Sequence, residues 1–359
     1  MLGPDTPVSV KGRALSAPSL PVGPRLQRLP LVTLYLSERC NSRCITCDYW
    51  RHGRSDMDLA AVTRLLPSFG RLATRVALIS GGEPLLNAEW AEIAELLRSH
   101  GLRLWLLTSG LSLAKHARRV AQLFDAVTVS LDGTCPGTYA RIRGLDAFDK
   151  VCEGVRAAAG AGAALGVRVT VQRANYRELP QFVDLARGLG ARQVSFLAVD
   201  VANPHAFGRR DDFANDLALA PEDLPRLAAT LDDLERSHGA DFRSGLMADS
   251  PRKLRRLLEY FTAVCGLGPF PPVRCNVFDY SAVVGATGLV SPCFFIDGPP
   301  QEANRGDLAA ALNAAPMRAL RGAIRAGERA ECARCVCSLW REPAERATAD
   351  FLMRRSLHG

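Results

Sequence analysis

The sequence predicts an α/β fold: a partial (β/α)6 barrel of parallel strands with a cysteine-rich C-terminal extension. Three observations predict it. Short apolar, β-branched runs alternate with amphipathic helical runs six times between Leu31 and Val199, the pattern of parallel βα units with helices covering the sheet. Six units fall short of the eight that close a full barrel. After residue 206 the alternation stops, and helical runs, a hairpin pattern and a second group of cysteines follow.

Pro4, Pro7, Pro18, Pro21, Pro24 and Pro30 make residues 1–30 an irregular segment. The barrel is expected over 31–205. Leu31–Ser37 reads as a buried strand and Leu59–Phe69 as a helix. Arg75–Ser80 and Glu89–Ser99 repeat the pair, as do Leu102–Leu107 with Leu113–Leu123, and Ala126–Leu131 with Asp149–Ala161. Val167–Val171, the helix Leu179–Leu189 and the strand Gln193–Val199 complete it. A helical connector is expected over 206–264, with helices at Pro221–Ser237 and Arg252–Val264. The extension covers 265–340, with a hairpin of Val277–Val284 and Leu289–Val290 and a helix at Leu308–Ala326. A tail over 341–359 closes the chain. In such a fold the chemistry sits at the C-terminal ends of the strands.

Composition narrows the functional classes. The 359 residues are 48% hydrophobic and 23% charged, so a sizeable core forms without disulfide staples. The net charge is +8, with 45 basic residues against 37 acidic ones. No basic run with interleaved aromatics accompanies it, so a nucleic-acid partner is not expected. No signal-peptide core or membrane-length apolar run is present, and a cytoplasmic location is expected. Eleven cysteines in such a chain point to metal or redox chemistry.

Cys40, Cys44 and Cys47 follow the first strand in a C-x3-C-x2-C spacing. Thiolates this close can wrap one soft metal centre. Zinc usually takes four protein ligands in paired form, and three buried cysteines are the plain alternative. Three ligands are one too few for a four-iron cluster, which leaves one iron open to a substrate or cofactor. Gly81-Gly82-Glu83-Pro84 ends the second strand, and two glycines let the backbone approach a ligand closely. Ser109 ends the third strand. Ser130 and Asp132 end the fourth, where hydroxyl and carboxylate groups suit a ribose or an ammonium group; as alternatives, Ser109 is a helix cap and Asp132-Gly133 a turn. Arg143-Gly144 is a further candidate, and Arg173 after the fifth strand could clamp a carboxylate, with a surface ion pair as the alternative.

These motifs together resemble the radical S-adenosylmethionine (SAM) superfamily. The resemblance implies that Cys40, Cys44 and Cys47 hold a 4Fe–4S cluster whose open iron is chelated by SAM. It implies that Gly81, Gly82, Glu83 and Pro84 bind the SAM amino group, and that Ser109, Ser130, Asp132, Arg173 and Leu197 contribute to the rest of the SAM site. The family often has a bulky residue before the third cysteine, contacting adenine; here it is Thr46, and Tyr49 with Trp50 is expected to take over that packing.

Cys275-x12-Gly288-x4-Cys293, followed by Cys332-x2-Cys335, is similar to the opening and closing of the family's C-terminal cluster domains. Only Cys337 follows, so the likeness is to the short, one-cluster twitch version of the SPASM domain. That makes the expected extension an iron–sulfur one, holding a second, auxiliary 4Fe–4S cluster on Cys275, Cys293, Cys332 and Cys335. Zinc remains the alternative there, and Cys265 and Cys337 are rival ligands. Cys135 and Cys152 show no ligand spacing. The resemblance implies reductive cleavage of SAM and hydrogen abstraction from a small metabolite or a peptide, fed by a reducing partner such as flavodoxin or ferredoxin. With only a Pro-rich segment before strand one, a peptide-recognition module is expected to come from a separate partner. A non-catalytic electron carrier is the reading from another class. Asp200, His205 and Arg209 follow the sixth strand near the expected cavity mouth and are equally well read as ordinary loop residues.

Overall fold

The structure, a computed structural model, describes residues 23–203, 207, 215–300 and 307–342. His205, Arg209, most of the N-terminal segment and nearly all of the tail lie outside the described residues. Six parallel strands are formed: β1 (Leu31–Ser37), β2 (Val76–Gly81), β3 (Arg103–Thr108), β4 (Ala126–Ser130), β5 (Leu165–Val171) and β6 (Gln193–Ala198). With β7 (Ser281–Val284) and β8 (Val290–Ser291) they make one open sheet of order β6-β5-β4-β3-β2-β1-β7-β8. Among these strands only β7 and β8 pair antiparallel. The partial barrel expected from the alternation is present.

Each crossover helix covers the outer face with residues spaced three or four apart. In Leu59–Arg71 these are Val62, Leu65 and Phe69; in Leu113–Leu123 they are Leu113, Ala117 and Val120. Alternate strand residues, such as Val32, Leu34, Leu104, Leu106, Val127 and Val129, meet them in one continuous core. The other parity faces the lumen, where Leu78, Trp105, Leu107, Thr128, Arg168 and Ser195 line a cavity.

Three features depart from the sequence reading. The run Val277–Val284 is strand only over Ser281–Val284; Val277–Asp279 is a 3-10 turn. The expected helix Leu308–Ala326 breaks at Ala314, and a new helix Ala315–Arg325 starts with Pro316 in its first turn, where the missing N–H costs nothing. The helix Pro136–Arg143 was not expected. Its only fully buried apolar side chains are Tyr139 and Ile142, too few for a periodic signal, although Pro136 and Gly144 bracket it as a start and a stop. The extension also does not stand apart from the barrel: β7 pairs in parallel with β1, Leu31 against Ser281 through Leu34 against Val284.

Candidate active site

The Cys40–Cys47 loop leaves β1 and is fixed from two sides. On the β2 side, Gly82 N donates to Ser37 O at 2.7 Å and Glu83 N to Arg39 O at 2.8 Å. This approach requires both glycines. Gly81 has φ +117°, and a Cβ at Gly82 would lie 2.4 Å from Arg39 O. Glu83 is fully buried, and its carboxylate accepts from Leu85 N (3.1 Å), Thr108 Oγ1 (2.9 Å), Ser109 N (2.7 Å) and Ser109 Oγ (2.6 Å). Ser109 Oγ also lies 3.2 Å from Asn41 Oδ1 in the loop. Glu83 and Ser109 thus bind each other and the cysteine loop, and Pro84 is buried in the following turn.

On the other side, the helix Pro136–Arg143 docks its C-terminal carbonyls on the loop: Arg43 N donates to Arg143 O and Ile45 N to Ile142 O, both at 3.0 Å. Gly144 has φ +70°, and a Cβ there would lie 2.3 Å from Arg43 O. Glu178 holds the helix's other end, accepting from Thr134 N (2.9 Å), Thr134 Oγ1 (2.8 Å) and Thr138 Oγ1 (2.5 Å). This anchoring delivers Arg143 to the cysteines. Its Nη1 donates to Cys44 Sγ at 3.4 Å, and its Nε meets Asp132 Oδ2 at 2.8 Å. Burial opposes the charge on Arg143, but Asp132 first and Cys44 next outweigh it and raise its pKa.

The donor set fits an iron–sulfur cluster. Burial pushes Cys40 up to about 11 and Cys47 up to about 12, with the neighbouring Cys44 adding to both. Thiols so placed need positive charge, such as bound iron, to become thiolates. Ser42 N donates to Cys40 Sγ at 3.4 Å, an amide contact that stabilises an anionic sulfur. Among the described residues, no three His, Cys, Asp or Glu side chains are placed to hold one metal ion; a cuboidal cluster binds its thiolates at separate corners.

The remaining expected SAM contacts divide. Ser130 lines the lumen, and Leu197 shares the parity of the lumen-lining Ser195 on β6. Thr46 lies half-buried in the loop. Tyr49 is turned inward against Tyr35, with ring centroids 5.8 Å apart and a hydrogen bond between the side chains, so the packing expected of it on a ligand is spent on the protein. Trp50 donates from Nε1 to Cys44 O at 3.3 Å and lines a recess of about 580 Å³ beside Cys40, Asn41 and Arg43. Asp132 departs from the expected ligand role: it is buried and turned to the protein, one oxygen meeting Arg143 and the other accepting from Thr170 N at 2.6 Å. Arg173 is a second correction. Its guanidinium faces Glu222 (3.6 Å) and Asp223 (3.2 Å) on the outer helix layer, the surface ion pair that was the alternative reading.

The second group of cysteines is brought together in space. Cys275, Cys293, Cys332, Cys335 and Cys337 all line one cavity of about 1180 Å³ that runs into the barrel lumen. Cys275 is within electrostatic reach of the other four. Burial pushes Cys293 up to about 12 and Cys332 up to about 11. Phe295 N donates to Cys293 Sγ and Cys337 N to Cys335 Sγ, each at 3.4 Å. Cys265 instead bonds Leu219 O at 3.2 Å, Cys152 is buried in the core and Cys135 is exposed.

Sequence reasoning missed Tyr35. It lies on the inward parity of β1, with Tyr49 on one side and Phe294 on the other at 6.2 Å, and it is within electrostatic reach of both Cys47 and Cys293. A lone tyrosine among aliphatic residues in a buried strand was the available signal.

With this geometry in hand, comparison with known proteins is direct. Residues 34–186 match the Radical SAM superfamily, a class that uses a 4Fe–4S cluster and SAM. The chain is similar to a probable GTP 3',8-cyclase of Saccharolobus islandicus, 28% identical over 45% of this chain and 54% of that protein. It is similar to the pre-heme d1 synthase of Dinoroseobacter shibae, 32% identical over 46% and 43%. The chain thus spans about half the length of the curated relatives it matches. In fold it resembles Streptococcus suis SuiB bound to its precursor peptide SuiA, with a TM-score of 0.62 at 14% identity over 87% of this chain and 71% of that one. Among the described residues no helix is long and apolar enough to cross a membrane.

Proposed function

We propose that this protein is a radical SAM oxidoreductase acting on a small metabolite held in the barrel lumen. When bound, the 4Fe–4S cluster and SAM supply one-electron cleavage to methionine and a 5′-deoxyadenosyl radical that takes a hydrogen atom from the substrate. Cys40, Cys44 and Cys47 would hold three irons and leave the fourth for SAM. Gly81 and Gly82 let the backbone approach the SAM amino group, and the Arg143 fork is poised for its carboxylate. The apolar lumen walls exclude water from the reacting carbon.

The observation that carries the oxidative reading is that Tyr35, on the inward parity of β1, is within electrostatic reach of both Cys47 of the first cysteine group and Cys293 of the second. Cys275, Cys293, Cys332 and Cys335 would fill all four irons of a second cluster, leaving no iron for substrate. That favours electron uptake from a substrate radical, hence net oxidation. Flavodoxin or ferredoxin is the expected reductant.

A second reading, modification of a peptide with a separate recognition partner, is favoured by the fold likeness to SuiB, whose structure contains its precursor peptide. An electron carrier has no need of the Gly81-Gly82 approach. Anaerobic reconstitution, iron and sulfide counts and a SAM-cleavage assay under dithionite test the proposal. About eight irons, with 5′-deoxyadenosine formed and lost on Cys44→Ala, supports it. Absence of both SAM binding and cleavage overturns it.

A further inference from the structure

The lumen carries a charge that the described residues do not neutralise. Of the charged side chains lining the 1180 Å³ cavity, six are basic, and only Asp249 and Glu331 are acidic. Four of the basic ones have carboxylate partners: Lys253 with Asp249 (2.5 Å), Arg274 with Glu342 (3.4 Å), Arg325 with Asp279 (2.5 Å) and Arg329 with Glu331 (2.6 Å). Arg168 has none among the described residues. Its guanidinium donates from Nε to Ser195 Oγ at 2.6 Å, which leaves the two outer nitrogens of the fork uncommitted among those residues.

Its setting is built by strand register. Ser130 on β4 and Ser195 on β6 are the pairing partners of Arg168 on β5, so one row reads hydroxyl, guanidinium, hydroxyl across three adjacent strands. Gly166, two residues earlier on β5, also lines the cavity and keeps that wall open. Facing this polar row, Leu78, Trp105 and Leu107 form an apolar wall from β2 and β3. The Arg168 side chain is exposed on the cavity wall, so its charge is open to an incoming anion. A planar fork flanked by hydroxyls suits an oxyanion, which it can hold bidentately.

We infer that the substrate is an amphipathic oxyanion, whose carboxylate or phosphate docks on Arg168 and Ser195 while its apolar body lies against Leu78, Trp105 and Leu107. This rests on the reading of the lumen as the substrate chamber.

The test is calorimetric titration of the anaerobically reconstituted full chain with 3-phenylpropionate, phenyl phosphate and the neutral 3-phenylpropanamide. The anions should bind at least about tenfold more tightly than the amide, and their order tells carboxylate from phosphate. Arg168→Gln should weaken the anions by about ten- to a hundredfold, as expected for loss of a charged hydrogen bond, and leave the amide unchanged. Ser195→Ala, a milder change, should weaken the anions to a smaller degree if Arg168→Gln does not fold. Equal binding of anion and amide, or equal anion binding by the parent and a folded Arg168→Gln protein, overturns the inference. So does a shift in the second cluster's reduction potential in Arg168→Gln with anion binding intact, which would make the charge a counter-ion of the cluster. Assay of 5′-deoxyadenosine separates the two readings: no SAM cleavage defeats the proposed function, whereas cleavage without anion preference defeats only this inference.

Discussion

Arg143 Nη1 donates to the Cys44 sulfur at 3.4 Å, from a guanidinium whose Nε is held by Asp132 at 2.8 Å. One buried ion pair therefore aims a cation at the cysteine loop. Arg143→Leu strands the Asp132 carboxylate and should cost about 3–5 kcal/mol in thermal or denaturant unfolding. The double variant Arg143→Leu, Asp132→Leu should recover much of that. Arg143→Lys should fold, yet bind SAM about tenfold more weakly, because an ammonium lacks the fork; equilibrium dialysis of the reconstituted protein measures this.

Glu83 gathers donors from β3 and the turn after β2. Glu83→Gln turns an amide N–H₂ toward some of them and should cost about 2–3 kcal/mol. Its signature is lower SAM affinity with iron content at the Cys40–Cys47 site retained. Loss of the iron instead would make Glu83 part of cluster assembly.

The glycines separate into two kinds. Gly82→Ala and Gly144→Ala drive a methyl into the backbone oxygens of Arg39 and Arg43, and each should lower stability by more than about 2 kcal/mol. Gly137 lies in the helix Pro136–Arg143, and no heavy atom comes within 4 Å of where an added methyl would sit. Gly137→Ala should raise stability by about 0.5–1 kcal/mol. Melting curves of the three proteins decide it.

Five thiols gather where the proposed second cluster would bind, and such a cluster takes four. Cys293→Ser or Cys332→Ser should remove about four of eight irons on reconstitution. Cys337→Ser should keep all of them if Cys335 is the fourth ligand. The reverse result, iron kept in Cys335→Ser and lost in Cys337→Ser, would exchange the two assignments.

Asp223 holds the loop after β5 to the helix Leu224–Ser237. It accepts from Tyr176 Oη (2.8 Å) and Ala220 N (3.1 Å) and meets Arg173 and Arg177. Burial alone would raise its pKa, but the Tyr176 and Ala220 hydrogen bonds and the two arginines together hold it below the usual carboxylate value. A depressed folded pKa stabilises above the unfolded value near 3.9 and is lost as pH falls through the folded one. Asp223→Asn should therefore lower stability at pH 7 by about 1–3 kcal/mol. The difference from the parent should shrink below about pH 4 in acid unfolding curves.

Much of the barrel was legible in the sequence. The strand Leu31–Ser37 and the helix Leu113–Leu123 fall where the periods of two and 3.6 put them, because burial on both faces or on one stripe leaves a strong local pattern. The helix Pro136–Arg143 was not, because it is held by Glu178 and by the cysteine loop more than by an apolar stripe.

The sequence by itself determined the two cysteine groups, the Gly81-Gly82 turn and the alternation of strands with helices, since these depend on spacing along the chain. Only the tertiary structure decided which arginine meets the cysteines. Arg143 and Arg173 both follow strands, and the sequence offered Arg173 as the carboxylate clamp, but Asp132 turns Arg143 inward and Asp223 draws Arg173 outward. The same holds for β7, which joins β1, and for Arg168, which faces the lumen between two serines. Charge pairing and strand partnership are relations between distant residues, so they are settled only when the chain has closed on itself.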